Sequence, residues 1–294
     1  MSLTAPLLVA WAALLAPAAL AAESQAVLTL LEGDATLVLG ARAFAAATGA
    51  RLGAGVLLET DAKTGLLRLE WPDGTVLDLG PATRVMLRPP ALPAGKPPLF
   101  YLLEGWAKQS QASVAPGQLN SAFDVQAFKG ALVSQVDGNT VVSFAETGDK
   151  QLVARRSGQP LSLQAGQAAV LGSDGAAQVQ ARPPAGWLQR IPRAFRDTLP
   201  PRAAQFKGPA PALKARAALS YEALQPWLTA EAAVRRDLPA RFAELLRDRE
   251  FYAAVTRHLA QHPEWETLVR PTSKPKPKPN PAVSTVATDP EPPR

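Results

Sequence analysis

From about residue 23 to about residue 182 the chain consists of short runs of alternating apolar and polar residues, each ended by Gly, Asp, Asn or Pro. The stretch "LEWPDGTVLDLG", residues 69–80, shows the unit. Apolar Leu69 and Trp71 flank polar Glu70, a Pro-Asp-Gly break follows, and Val76, Leu77 and Leu79 resume the pattern. Side chains of a strand point to opposite faces with period two, and Asp-Gly supplies the positive φ that a tight hairpin needs. The stretch therefore predicts two strands joined by a turn, with Asp73 serving turn geometry rather than acid chemistry. Asp137-Gly138-Asn139 repeats the device between "ALVSQV" and "TVVSFAETG".

Comparable runs, among them "ATLVLG", "GVLLET", "RVMLRP", "LFYLLEGW", "AFDVQA", "LSLQAGQAAVLG" and "AQVQAR", recur about every ten residues or somewhat more. The fold class expected is mainly β, with few or no helices between residues 22 and 182. Either a sandwich or a twisted β-solenoid fits, the latter burying each layer only when the next stacks on it. The proline-rich "RPPALPAGKPP", 88–98, reads as an exposed loop, because Pro cannot donate to a ladder.

Beyond residue 182 the apolar spacing lengthens and helix starts appear, predicting a small basic helical domain over 183–270. Ser220 precedes "YEALQPWL", Asp237 precedes Leu238 with Pro239 in the first turn, and Asp248 precedes "REFYAAVTRHLAQH". In the last of these Phe251, Val255, His258 and Leu259 share one side, predicting an amphipathic helix of about three to four turns that Pro263 ends. The stretch 191–217, rich in Pro, Arg and Lys, is expected to wrap the surface irregularly. Residues 271–294 carry Pro and charge with nothing to bury and are expected to be a disordered tail.

The apolar run Leu7–Leu20 and the small residues after it predict a signal peptide over 1–21, cut after Ala21. Its n-region lacks Lys and Arg, and an uncleaved anchor is the alternative. The chain has no Cys, which removes lipoprotein attachment, disulfides and thiol chemistry together. A soluble, periplasmic bacterial protein is expected. Residues 1–181 hold 12 Lys and Arg against 14 Asp and Glu, whereas 182–270 hold 15 against 9, so the basic character belongs to the C-terminal part. After export the polyanions within reach are phospholipid headgroups, lipopolysaccharide phosphates and cell-wall carboxylates rather than nucleic acid.

Residues 32–87 resemble the FecR domain. Gly55–Thr60, Leu66–Trp71, Asp73-Gly74 and Pro81-Ala82-Thr83 occupy the places of that family's Gly-x-hydrophobic entry, second strand, turn and closing Pro-x-Ser/Thr. "GNTVVSFAETGDKQLV" and "LSLQAGQAAVL", with Ala165-Gly166-Gln167, look like its closing strands. The likeness covers about half the chain. Val56 stands where many members have Asp, and Phe128-Lys129-Gly130-Ala131 replaces the usual Arg-Gly-Thr segment. The resemblance implies an all-β periplasmic module of the twisted-solenoid kind. Sigma-regulating members also carry a cytoplasmic segment and a membrane helix, so their sigma-factor role is not implied with the fold.

Motifs for chemistry are sparse. His258 and His262 have the i, i+4 spacing of a zinc pair, but Leu259 stands where the catalytic Glu of that pattern belongs, so a structural use is expected. Glu32/Asp34 and Glu59/Asp61 are carboxylate pairs that would serve glycosidase work only if folded to face each other. No Gly-rich phosphate loop or Gly-x-Ser-x-Gly elbow is present. Arg235, Arg236, Arg241, Arg247, Arg249 and Arg257 are the candidate contacts for an anionic partner. Against that, Glu244, Asp248 and Glu250 are interleaved with them and would form i, i+3 and i, i+4 pairs on an ordinary solvated face. The expected function is a non-enzymatic binding, adaptor or sensor module of the bacterial envelope. It would contact an envelope protein or an anionic wall or membrane polymer, with no catalytic, cofactor or metal residue assigned. An accessory regulator of cell-surface signalling and an envelope carbohydrate-active enzyme are the alternatives.

Overall fold

The computed structural model describes residues 25–89 and 97–270. The expected signal peptide, most of the proline-rich loop and the expected tail lie outside those residues. The described residues are mainly β, with 39% strand against 22% helix. Among them the strand text between residues 26 and 180 becomes 17 strands, with no helix between them.

Strand pairing sorts these elements into two sheets that share one long strand. The first sheet runs in the order β4 (Arg51–Leu52), β1 (Ala26–Glu32), β6 (Leu66–Glu70), β7 (Val76–Leu79), β9 (Phe100–Ala115), β12 (Phe128–Asp137), β13 (Thr140–Thr147), β16 (Ala168–Leu171) and β17 (Ala177–Gln180). The second runs β3 (Arg42–Ala45), β2 (Ala35–Leu39), β5 (Leu57–Thr60), β8 (Arg84–Leu87), β9, β10 (Gln118–Asn120), β11 (Phe123–Val125), β14 (Lys150–Ala154) and β15 (Pro160–Leu163). All of these pairings are antiparallel except β9 with β10. The chain passes from one sheet to the other after each strand or hairpin.

The Asp-Gly turns are where the sequence puts them. Gly74 has φ +82° between β6 and β7, and Asp73 accepts a hydrogen bond from the Thr75 N–H at 2.9 Å. The hairpin β12–β13 closes through Gly138 and Asn139, with Asp137 opposite Thr140. Strand β9 changes sheets at Gly105, whose φ is +89°. Phe100, Tyr101 and Leu102 pair with β8, whereas Ala107 to Ser110 pair with β7.

Alternation then sorts side chains into three apolar groups. Leu28, Leu37, Leu58, Leu67, Leu77, Leu102, Phe123, Leu132 and Leu152 point between the sheets and form one dry interior. The outer face of the second sheet carries an apolar row, Val38–Leu57–Met86–Tyr101–Leu119, across five strands. It is covered by α2 (Tyr221–Leu228), α3 (Ala232–Arg235), α4 (Leu238–Phe242), α5 (Arg249–Arg257), the 3-10 turn Pro263–Trp265 and α6 (Glu266–Val269), with Trp227, Phe242, Phe251 and Trp265 buried against it. At about 25 cal/mol per Å² of apolar surface, each such large side chain contributes roughly 2 kcal/mol or more. The outer face of the first sheet, with Trp106, Val133, Val142 and Val170, is covered by Trp187 of α1 (Trp187–Arg190) and by Phe195.

The segment from Trp187 to Arg216 is thus a strap that crosses the first sheet from the β16 side to the β4 edge. Trp187 donates its indole N–H to Gln135 at 2.7 Å. The carbonyl of Phe195 accepts from Lys108, and that of Leu199 accepts from Arg68. The N–H groups of Arg202 and Ala203 both donate to Glu70 at 2.8 Å. Arg51 reaches the carbonyls of Phe206 and Gly208, and Ala215 forms a bridge with Phe44 that extends the second sheet past β3. Beneath the strap, Arg68 holds Asp78 with two hydrogen bonds of 2.7 and 2.8 Å, and burial raises the Asp78 carboxyl above its ordinary range.

Two helix starts match their caps. Ser220 accepts from Ala223 N–H at 3.2 Å, and Asp248 accepts from Phe251 N–H at 2.8 Å. Asp237 makes no side-chain cap bond. The last long helix is shorter than its periodicity predicts. It ends at Arg257, a 3-10 turn follows over Leu259–Gln261, and Pro263 disfavours helical geometry at His262. Leaving the helix early lets the chain turn His262 and Trp265 inward, where both are buried.

Candidate functional site

One half-buried row of the second sheet is polar and charged. Thr36, Glu59, Arg84 and Glu104 are successive cross-strand neighbours on β2, β5, β8 and β9, on the same outer face as the helices. With Asp34, Asp61 and Arg216 they line a cleft of about 380 Å³. Local folding sets each position. Inward Leu58 and Val85 force their neighbours Glu59 and Arg84 outward. Asp34 follows the Gly33 turn, accepts from the Ala35 N–H at 2.9 Å, and is paired with Arg216 from the end of the strap. That guanidinium holds the Asp34 carboxyl below the usual carboxylate range.

Arg84 is the centre of the cleft. Its guanidinium is 3.4 Å from Glu59 and pairs with Glu104 on the other side. Glu59 also accepts from the Trp227 indole N–H at 2.8 Å, which ties the cleft wall to α2. Asp61 accepts from Lys63 N–H at 2.9 Å within its own turn. Four carboxylates against two guanidinium groups leave the cleft acidic, so it can take a cationic or hydrogen-bond-donating group by ion pairing. A second, larger hollow of about 530 Å³ lies among the turns of the β10–β11, β12–β13, β14–β15 and β16–β17 hairpins, lined mostly by small residues together with Arg156 and Asp174.

Asp34, Glu59 and Asp61, singled out from sequence, meet in this cleft, whereas Glu32 does not line it. Arg84, Glu104 and Arg216 were missed. Glu59 and Arg84 each sit one residue from an inward apolar neighbour, and that alternation was the available signal; the arrival of Arg216 from 182 residues away had none.

The six candidate arginines do not form one surface. Arg241 donates to the carbonyls of Gly40, Gly55 and Val38, and burial brings its pKa down to about 10. Arg235 pairs with Glu264 at 2.8 Å and donates to the Gln261 carbonyl at 2.6 Å. Arg236 lies 3.4 Å from its neighbour Asp237. Arg247, Arg249 and Arg257 are exposed. Among the described residues none of the six makes an i, i+3 or i, i+4 ion pair, so the pairing expected of the interleaved acids is absent there.

The two histidines flank Tyr221. His258 stacks on its ring with centroids 5.4 Å apart, and His262 meets its hydroxyl at 3.1 Å. Among the described residues no group of three or more His, Asp or Glu has the arrangement of a metal site. No helix among them is long and apolar enough to cross a membrane.

No protein-family model matches the sequence, and no curated protein matches it. Two solved structures align with part of the chain, both from Parabacteroides distasonis ATCC 8503 and both carrying the name "putative anti-sigma factor". One aligns over 43% of this chain and 59% of its own length, with 14% identity and a TM-score of 0.36. The other aligns over 46% of this chain and 65% of its own length, with 16% identity and a TM-score of 0.34. The chain therefore spans less than two thirds of either neighbour.

Proposed function

We propose that this protein is a FecR-like, non-enzymatic recognition module of the bacterial envelope, released into the periplasm by removal of residues 1–21 and acting as an adaptor or sensor in cell-surface signalling. The FecR likeness of residues 32–87 supports the family reading, and the passage of the chain between two sheets supports its solenoid-type form. The observation that carries the binding role is the acidic cleft around Arg84. Its charged groups are fixed by strands on one side and by Trp227 and Arg216 on the other, so it is preorganised at low entropic cost for a cationic segment of a protein partner.

The test places a photo-crosslinking residue at Asp61, on the cleft rim, and at exposed Ser162 of β15, at the opposite edge of the second sheet, in the full-length protein expressed in its host. Adducts of one defined mass from position 61 and none from position 162 are expected. They should weaken when Glu104→Lys reverses the rim charge. Mass spectrometry of the periplasmic fraction should give a mature N-terminus at Ala22. Adducts only from position 162, or a protein confined to the cytoplasm, would overturn the reading.

A further inference from the structure

The basic excess of the C-terminal part does not lie in the helices. Residues 221–270 hold seven arginines and eight acids, so the helical layer carries no basic excess. Residues 182–216 hold eight Lys and Arg against the single acid Asp197. Six of these eight, from Arg182 to Lys207, belong to the strap and its approach over the first sheet, whereas Lys214 and Arg216 reach the edge of the second.

The strap enters over Gln135 of β12, passes Lys108 of β9 and Arg68 of β6, and reaches Arg51 of β4. Its buried side chains, Trp187 and Phe195, point into the sheet, which turns Arg182, Arg190, Arg193 and Lys207 outward, all exposed. None of these four has an ion-pair partner among the described residues. Arg196, also exposed, donates to the carbonyls of Leu188 and Gln189. The carboxylates of the sheet beneath are already engaged: Asp78 by Arg68, Glu70 by the strap N–H groups, and Glu146 by Lys108 at 2.7 Å. The outward charge is therefore uncompensated.

We infer that the strap is a membrane-docking surface that lays this face of the protein on an anionic phospholipid bilayer. Its charges are strung across the whole sheet, and no described cavity is lined by any of these four side chains. Such an array suits a planar polyanion better than one bound phosphate. Leu188, exposed beside Arg190, adds an apolar side chain at headgroup depth. Polybasic segments bind anionic leaflets through additive contributions from each Lys or Arg and are released by salt. The inference goes beyond the cleft, which opens on the opposite sheet, and depends on the envelope reading only for where a bilayer is met.

The experiment sediments the purified full-length protein with vesicles of phosphatidylcholine alone or with phosphatidylglycerol added. Two triple variants carry the same change in net charge: Arg190→Glu/Arg193→Glu/Lys207→Glu on the strap, and Arg247→Glu/Arg249→Glu/Arg257→Glu on the helices. Binding only to the anionic vesicles, lost by about tenfold or more in the strap variant and largely kept in the helix variant, is expected. Circular dichroism should show both variants folded. A neutral set, Arg190→Gln/Arg193→Gln/Lys207→Gln, should show a smaller loss in the same direction. Equal loss in the two Glu triples, equal binding to both vesicle types, or capture by soluble polyglutamate without vesicle binding would overturn it. Photo-crosslinking at position 61 reads the cleft and sedimentation reads the strap, so either can fail alone.

Discussion

His262 has no exposed surface, its Nε2 lies 3.1 Å from the Tyr221 hydroxyl, and its Nδ1 has no hydrogen-bond partner among the described residues. Burial holds its pKa below the ordinary histidine value, although Glu264 favours the charged form, while His258 and Arg235 oppose it. In the unfolded chain the same imidazole takes up its proton near pH 6.5. Just below that pH the unfolded state binds more protons than the folded one, so stability falls as pH drops from about 7 toward the lowered folded value. A urea midpoint lower at about pH 5.5 than at about pH 7.5 is expected, and His262→Gln should shrink that difference. An unchanged difference in the variant would assign it to carboxylates elsewhere. Residues whose role is local were legible in the sequence: the Asp73-Gly74 turn and the caps Ser220 and Asp248 each act within three positions of themselves. Arg68 was not, because its carbonyl partner Leu199 is 131 residues away.

The elements follow the same division. Period-two runs identified most strands of the β region, because an inward and an outward face are written into each one, but β1 and the short β3, β4 and β10 were not among them. The full length of β9 was not foreseen, since its second half, with Lys108, Gln109 and Ser110, looks polar and is held as strand by neighbours on both sides, Lys108 also reaching the strap. The bend that lets β9 serve both sheets depends on Gly105. A Cβ there would lie 2.4 Å from Thr83 Oγ1 and 2.5 Å from Thr83 Cα, at a φ of +89°. Gly105→Ala should therefore cost about 3 kcal/mol or more, combining backbone strain with a clash against main chain. Gly74→Ala, with φ +82° but no atom within 4 Å of the added carbon, should cost only about 1–2 kcal/mol. Chemical denaturation of the two variants checks the contrast, and equal losses would show that β9 tolerates the bend without glycine.

At the scale of the molecule, the C-terminal third supplies cover for both outer faces. The strap lies on Trp106, Val133 and Val142, and the helices lie on Val38, Leu57, Met86 and Tyr101. A chain ending at residue 182 would expose both rows, an apolar surface larger than soluble monomers tolerate. Such a truncation should be recovered as aggregate or as an oligomer that binds hydrophobic dye, and gel filtration decides. A well-behaved monomer would mean that the strands stand without their cover. Charge was legible too, but at the wrong place. Summing over 182–270 drew attention to the arginines at 235–257, whereas the excess belongs to the residues before 217. No periodicity marks an irregular segment as a ribbon lying on a sheet, so its position came only from contacts far apart in sequence.

The cover follows both sheets along the chain and so is synthesised after them. Until Trp187, Phe195 and then Trp227 have left the ribosome, both apolar rows stay wet and the strand half has little reason to lock. The order of the sequence thus leaves a newly made strand half open to chaperones and proteases for as long as its lid is still being added.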